Sequence, residues 1–136
     1  QAIRSWAKSH PAEVPELLAY NPSYVFFKDM GPAPASTGPN GAQGVPLTPG
    51  ASVAVDRTRW KYGTPFFVDV SQTLPAMRFS RPVIAQDTGG AIRGVIRFDY
   101  FWGSGDAAGE SAGRQKSRVR AWALVPRGHR PEELLK

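Results

Sequence analysis

Three features of this chain predict a mainly β domain, closed as a barrel or stacked as a sandwich. Short strand-like runs recur, turn residues are dense with 14 glycines and 13 prolines, and helical spacing is confined to a few short segments. At 136 residues, 41% of them hydrophobic, the chain has room for one domain with one modest core. Its zero cysteines remove disulfides, thiolate metal sites and cysteine nucleophiles together. No run approaches the ~20 apolar residues that cross a bilayer. The opening QAIRSWAKSH lacks the basic-then-apolar layout of a signal peptide, so an export signal or lipid anchor is expected to be absent from this chain.

The elements follow in order. Residues 11–20, PAEVPELLAY, read as a short helix, with Pro11 early and Val14, Leu17 and Leu18 at helical spacing. Asn21-Pro22 ends it, because the residue before a proline is pushed out of helical geometry. Tyr24 to Phe27 reads as a strand. From Gly31 to Gly50 the chain is dominated by Gly, Pro, Ser, Thr and Asn, which predicts a long surface loop anchored by Val45 and Leu47. Strands are then expected at Ser52–Val55, Thr64–Val70, Met77–Phe79, Val83–Ala85, Val95–Tyr100 and Ala121–Val125. Between the last two, DAAGESAGRQK predicts a helix over 106–116 with Asp106 as N-cap and glycines packed close to another backbone. The resulting division is a helical lead-in (1–20), a β domain (21–126) and a tail (127–136).

Seventeen Lys and Arg against eleven Asp and Glu leave a charge of +6, which favours anionic partners. Basic residues gather around Trp60 (Arg57, Arg59, Lys61) and ahead of Trp122 (Arg114, Lys116, Arg118, Arg120), a mixture that suits single-stranded nucleic acid or simply a solvated positive face. Acidic residues are scarce, so those inside apolar segments stand out. Asp56 and Asp87 each precede turn-like residues and read equally as aspartates that fix a turn. Asp99 falls inside an apolar strand-like run, where a purely structural aspartate is disfavoured. Asp69 also interrupts a strand, on a face that alternation gives to solvent. His10 and His129 lie near the ends without ligand partners, no segment resembles a calcium loop and GGAIRG lacks the lysine of a nucleotide loop, so neither metal nor cofactor is expected.

The segments ASVAVDR, AQDTGGAIRG and FDYFWGSG resemble the motifs of the three-aspartate (3D) domain, in the form that ends the membrane-bound lytic murein transglycosylase A family. NPSYVFF, GVPLTPGASVAVD and AGRQKSRVRAWALVP are similar to that family as well, so the likeness runs from about Trp6 to Pro126. The resemblance implies a six-stranded double-psi β-barrel with short helices, built in that family from both ends of a longer chain around an inserted second domain. This chain resembles only the C-terminal portion, and residues 57–65, RTRWKYGTP, are less apolar than the family pattern.

The implied activity is cleavage of the β-1,4 bond between N-acetylmuramic acid and N-acetylglucosamine in peptidoglycan, leaving a 1,6-anhydromuramic product. An ordinary glycosidase needs two carboxyl groups. Here the sugar's own C6 hydroxyl serves as nucleophile, so one carboxyl acts first as acid and then as base. The resemblance gives that role to Asp99, with a carboxyl kept protonated by burial among Phe98, Tyr100, Phe101 and Trp102 or by its neighbour Asp87. Asp87 hydrogen-bonds in the site, Asp56 is the most structural of the three, and Gly89, Gly90 and Gly94 allow close backbone approach. Tyr24, Tyr100 and Trp102 are candidates to stack on sugar rings, with core packing the equal alternative. The implied partners are peptidoglycan glycan strands and the remaining N-terminal part of the family chain, with no nucleic acid and no membrane span. The implied place is the periplasm, at the outer membrane. A non-catalytic glycan-binding barrel is the alternative, since one groove wall would be missing.

Overall fold

The computed structural model describes residues 2–23, 26, 29, 31 and 38–135. The chain divides into two compact units, 1–31 and 32–136. The first holds α1 (Ala2–Ser9), a 3-10 turn at Pro11–Glu13 and α2 (Val14–Ala19). The helix expected over 11–20 is therefore split, its first turn tightened where prolines remove backbone donors. The strand expected at Tyr24–Phe27, and Tyr24 itself, lie outside the described residues apart from Phe26.

The second unit is mainly β. Its strands are β1 (Ser52–Val55), β2 (Pro65–Gln72), β3 (Met77–Asp87), β4 (Phe98–Tyr100) and β5 (Arg118–Ala123), with α3 (Asp106–Arg114) between the last two. They form one five-stranded sheet in the order β4-β1-β3-β2-β5, antiparallel except for the parallel β1/β3 pair. Alternation along β2 turns Phe66, Val68 and Val70 inward, where Val53, Val55, Val83 and Ala85 join them. Trp60, Phe79, Phe98, Tyr100 and Val119 pack around that cluster. Phe66 is the largest fully buried side chain, and Trp60 and Phe98 meet it edge-on at 4.9 and 5.0 Å between centroids.

Several expected boundaries move, each for a physical reason. Met77–Phe79 and Val83–Ala85 are one strand, because β1 joins β3 only from Ile84 onward and Pro82 sits where that side carries no partner. The strand expected at Val95–Tyr100 shrinks to β4, since Gly94 at φ +105° turns the chain and Val95 and Ile96 stay exposed. The last strand starts earlier than expected and closes at Ala123, its alternation placing Val119, Ala121 and Ala123 against the core. The N-cap of α3 is Gly105, not Asp106, which instead lies in the first turn where a negative charge suits the helix dipole. Nor do its glycines pack closely: a Cβ on Gly109 or Gly113 would meet open space.

The expected surface loop has a built structure over the described residues 38–50. Asn40 bridges to Pro46, Gly38 donates to the Leu47 carbonyl and Leu47 is buried. A Cβ on Gly41 would lie 2.4 Å from the Gln86 carbonyl oxygen and 2.6 Å from Leu47 Cδ2. The loop thus lies directly on the end of β3, and only glycine permits it.

Candidate active site

The site begins with a register irregularity. In the parallel pair, Val53 faces Ala85 but Ala54 faces Asp87, so β3 spends two residues, Gln86 and Asp87, against one on β1. A regular strand would send Asp87 to the face opposite Gln86. The bulge leaves both on the face away from the valine core. Gln86 Oε1 accepts from Ser52 Oγ at 2.5 Å, and Asp87 Oδ1 accepts from the Ala42 backbone N–H at 3.0 Å.

On its other side Ala54 pairs with Asp99 of β4. Asp87, Ala54 and Asp99 therefore stand in one row across three strands, the two aspartates about 10 Å apart at Cα by twice the strand spacing. The methyl between them leaves a cleft of about 260 Å³ above β1, walled by Leu47, Ile92 and Phe101 and holding both carboxylates. Thr88 lines it too, its hydroxyl donating to the Val55 carbonyl at 2.8 Å. A second, longer groove of about 580 Å³ runs along the β4 edge past Asp99, Tyr100, Trp102 and Lys116. Asp99 borders both.

The surroundings of Asp99 differ from the expected ones. The carboxylate is not buried among aromatic rings: its side chain is 48% exposed, and Arg97 grips it as a fork, Nε to Oδ1 at 2.6 Å and Nη2 to Oδ2 at 3.3 Å. The cause is strand alternation, which turns Phe98 and Tyr100 to the core and Arg97 with Asp99 to the other face. Asp87 is not its direct neighbour: it stands two strands away on β3, with Ala54 of β1 between.

Asp56 is 3% exposed and serves as a cap for two chain segments. Oδ1 accepts from the Thr58 hydroxyl and backbone N–H at 2.7 and 2.9 Å, and Oδ2 from the Gly94 N–H at 2.8 Å, with Arg93 3.8 Å away. These bonds, the Thr58 hydroxyl foremost, hold its carboxyl down at about 2. It does not line the cleft. Gly89 and Gly90 form the turn beside it, with Ile92 N–H bonding to the Gly89 carbonyl; a Cβ on Gly89 would press Ile92 at 3.2 Å, whereas Gly90 has open space.

Tyr100 packs on the core, its ring 5.1 Å from Phe79 and 5.0 Å from Trp102, and its hydroxyl donates to the Gly50 carbonyl while accepting from Arg81. Trp102 lines the longer groove with its indole N–H bound to Gln115 Oε1 at 2.7 Å. Trp60 is no exposed platform, since its ring is packed and its indole N–H bonds the Val95 carbonyl at 2.8 Å. Sequence reasoning missed Ala54 and the Ala42 amide, and placed Leu47 only as a loop anchor. Only the alanine between the two valines of SVAV hinted at the first.

The chain is similar to known proteins over most of its length. The 3D domain model matches residues 51–125, more than half of the chain, and the MltA specific insert domain model matches residues 1–28. The membrane-bound lytic murein transglycosylase A of Escherichia coli is 42% identical over 130 residues, covering 91% of this chain, and that of Vibrio cholerae is 39% identical over 130 residues. The chain spans about a third (34%) of the length of either relative. Among solved structures, MltA from Neisseria gonorrhoeae superposes with a TM-score of 0.81 at 41% identity, over 96% of this chain and 33% of that one. MltA from E. coli with bound chitohexaose gives 0.74 at 39% identity, over 92% and 38%. The chain belongs to the family that joins the 3D domain to the MltA specific insert, that of the membrane-bound lytic murein transglycosylases A.

Proposed function

We propose that this chain carries the catalytic carboxylates of a peptidoglycan lytic transglycosylase. The observation that carries the reading is the row Asp87, Ala54, Asp99, which sets two carboxylates in one cleft with a gap between them. Asp99 protonates the oxygen of the β-1,4 bond between N-acetylmuramic acid and N-acetylglucosamine. As that bond breaks, the C6 hydroxyl of the muramic residue attacks C1 and returns a proton to Asp99, leaving the 1,6-anhydro product with no water consumed. Asp87 hydrogen-bonds to the sugar from the far side of Ala54, and Asp56 holds the Gly94 turn. The Gly89-Gly90 turn borders the glycan, and Tyr100 and Trp102, which line the groove past Asp99, are the stacking surfaces. Glycan entry must part Arg97 from Asp99, and Arg97 is exposed enough to swing away.

The relatives are about three times longer. Further chain of that kind would supply a sixth strand, closing a double-psi barrel, and the second groove wall. Like relatives named membrane-bound, the protein would work on periplasmic peptidoglycan at the outer membrane. The chitohexaose bound by the E. coli neighbour is a β-1,4 amino-sugar chain of the kind expected here. The exposure of Asp99 and its Arg97 partner favour a second reading, a glycan-binding module that does not turn over. Incubating purified peptidoglycan with this chain and with Asp99→Asn, then reading the soluble products by mass spectrometry, separates the two. Anhydromuropeptides from the wild type alone support the transglycosylase, reducing-end products mean a hydrolase, and sedimentation with the polymer without products means the binding module.

A further inference from the structure

At the other end of β3, about nine residues and ~30 Å of strand from Asp87, lies a cleft that the proposed chemistry does not use. It has a volume of about 740 Å³ and is lined by Ser71, Gln72, Met77, Arg78, Lys116 and Arg118 with the Thr73-Leu74 turn. Arg78 and Arg118 both pair with Ser71, one from β3 and one from β5, so the three stand in a row with the serine hydroxyl between two guanidinium groups. All three are exposed. In the next row on that face Asp69 is engaged by Arg120 at 2.5 Å and Ser80 at 2.8 Å and also feels the charge of Arg78, while Arg78, Lys116 and Arg118 make no salt bridge among the described residues. Among the described residues no carboxylate lines the cleft.

The scaffold under these cations is tied down. Gln72 donates through Nε2 to the Leu74, Pro75 and Arg114 carbonyls and accepts through Oε1 from the Lys116 N–H and Ser117 hydroxyl, joining the β2/β3 turn to the start of β5. The guanidinium forks therefore start from fixed strands, and a planar fork matches a carboxylate better than a point charge does. Lys116 also lines the groove that runs past Asp99, so the two recesses share a wall.

We propose that this cleft binds the carboxylates of a short acidic peptide, of the kind that hangs from the glycan strands of peptidoglycan. Arg78 and Arg118 each take a carboxylate, Ser71 donates between them, and the apolar Leu74 and Met77 flank the peptide's aliphatic part. That the peptide arrives attached to a glycan rests on the function proposed above; the anion site itself does not.

The test is an NMR titration of the 136-residue chain with a synthetic stem peptide free of sugar, its carboxylates free or amidated. The expected result is saturable shifts confined to amides around Ser71, Arg78, Lys116 and Arg118, with the amidated peptide roughly tenfold weaker. The double variant Arg78→Ala/Arg118→Ala weakens the free-acid peptide by about tenfold or more, with the rest of the spectrum unchanged. Should that variant unfold, the free-acid against amidated comparison on the wild type decides alone. Scattered or absent shifts, equal binding of both peptides, or displacement of the peptide by a single-stranded oligonucleotide that occupies the same amides more tightly would overturn the proposal. Asp99→Asn leaves peptide binding intact. Peptide binding without glycan cleavage in the assay above refutes the transglycosylase reading only, and cleavage without peptide binding refutes this one only.

Discussion

Between Asp87 and Asp99 stands Ala54, whose single methyl leaves the space that a glycan oxygen would need. Ala54→Leu fills that space. It is expected to abolish release of soluble products from peptidoglycan at a stability cost of about 1–3 kcal/mol. Thermal unfolding alongside the product assay checks both, and unchanged turnover would move the reaction out of this cleft. Asp56 makes a different kind of contribution. Its folded value of about 2 lies below the ~3.9 of an unfolded aspartate, so the stability it adds is complete above about pH 4 and is lost as pH falls toward 2. Asp69 and Glu133, also lowered through partners Arg120 and His129, add to the same acid limb. Asp56→Asn should flatten that limb between pH 4 and 2, measured as denaturant midpoint against pH, and an unaltered slope would show that Asp56 is not the group responsible. Asp99 stands out in the sequence because aspartate is out of place in an apolar strand, whereas its Arg97 fork does not, since a strand over Val95–Tyr100 puts the two on one face without saying that the side chains meet.

The loop over residues 38–50 shows at the scale of an element what local composition can hide. Glycine and proline density correctly marks a departure from regular structure, but that density does not say that a Cβ at Gly41 would strike Gln86 and Leu47, or that the next amide, of Ala42, reaches Asp87. Gly41→Ala should force the loop off β3 and lower stability by about 1–3 kcal/mol, with the largest hydrogen-exchange change at Ala42 and Gln43. Exchange there that stays as slow as in the wild type would show that the loop has room. β1 matches its expected bounds because Val53, Ala54 and Val55 form a short apolar run after a Gly-containing turn and the strand is buried on both faces. β3 joins two expected strands across Pro82, a residue that usually breaks a central strand and that only the stagger of β1 makes harmless here.

For the whole second unit, six small and medium apolar side chains around Phe66 form a buried cluster of limited size among the described residues. Phe66→Ala, at about 3–5 kcal/mol, removes a large share of the ~5–15 kcal/mol that a domain of this class holds. Its thermal midpoint should fall by roughly 20 °C, which calorimetry would read directly. A small shift would mean that the core is shared with other chain in the working protein. The mainly β class was legible from turn spacing, but the sheet order was not. A parallel pair between β1 and β3 depends on the whole course of β2, and no local pattern encodes it.

The doubled residue at the end of β3 has a bearing on how related chains are aligned. Gln86 anchors to Ser52 while Asp87 lines the cleft, so two consecutive positions divide between scaffold and cleft wall. A relative one residue shorter here would still set an aspartate opposite the alanine, having lost the anchor and kept the cleft carboxylate. Any gap in an alignment therefore belongs at Gln86. Placed one column later, it would assign the acid to the wrong side of the sheet.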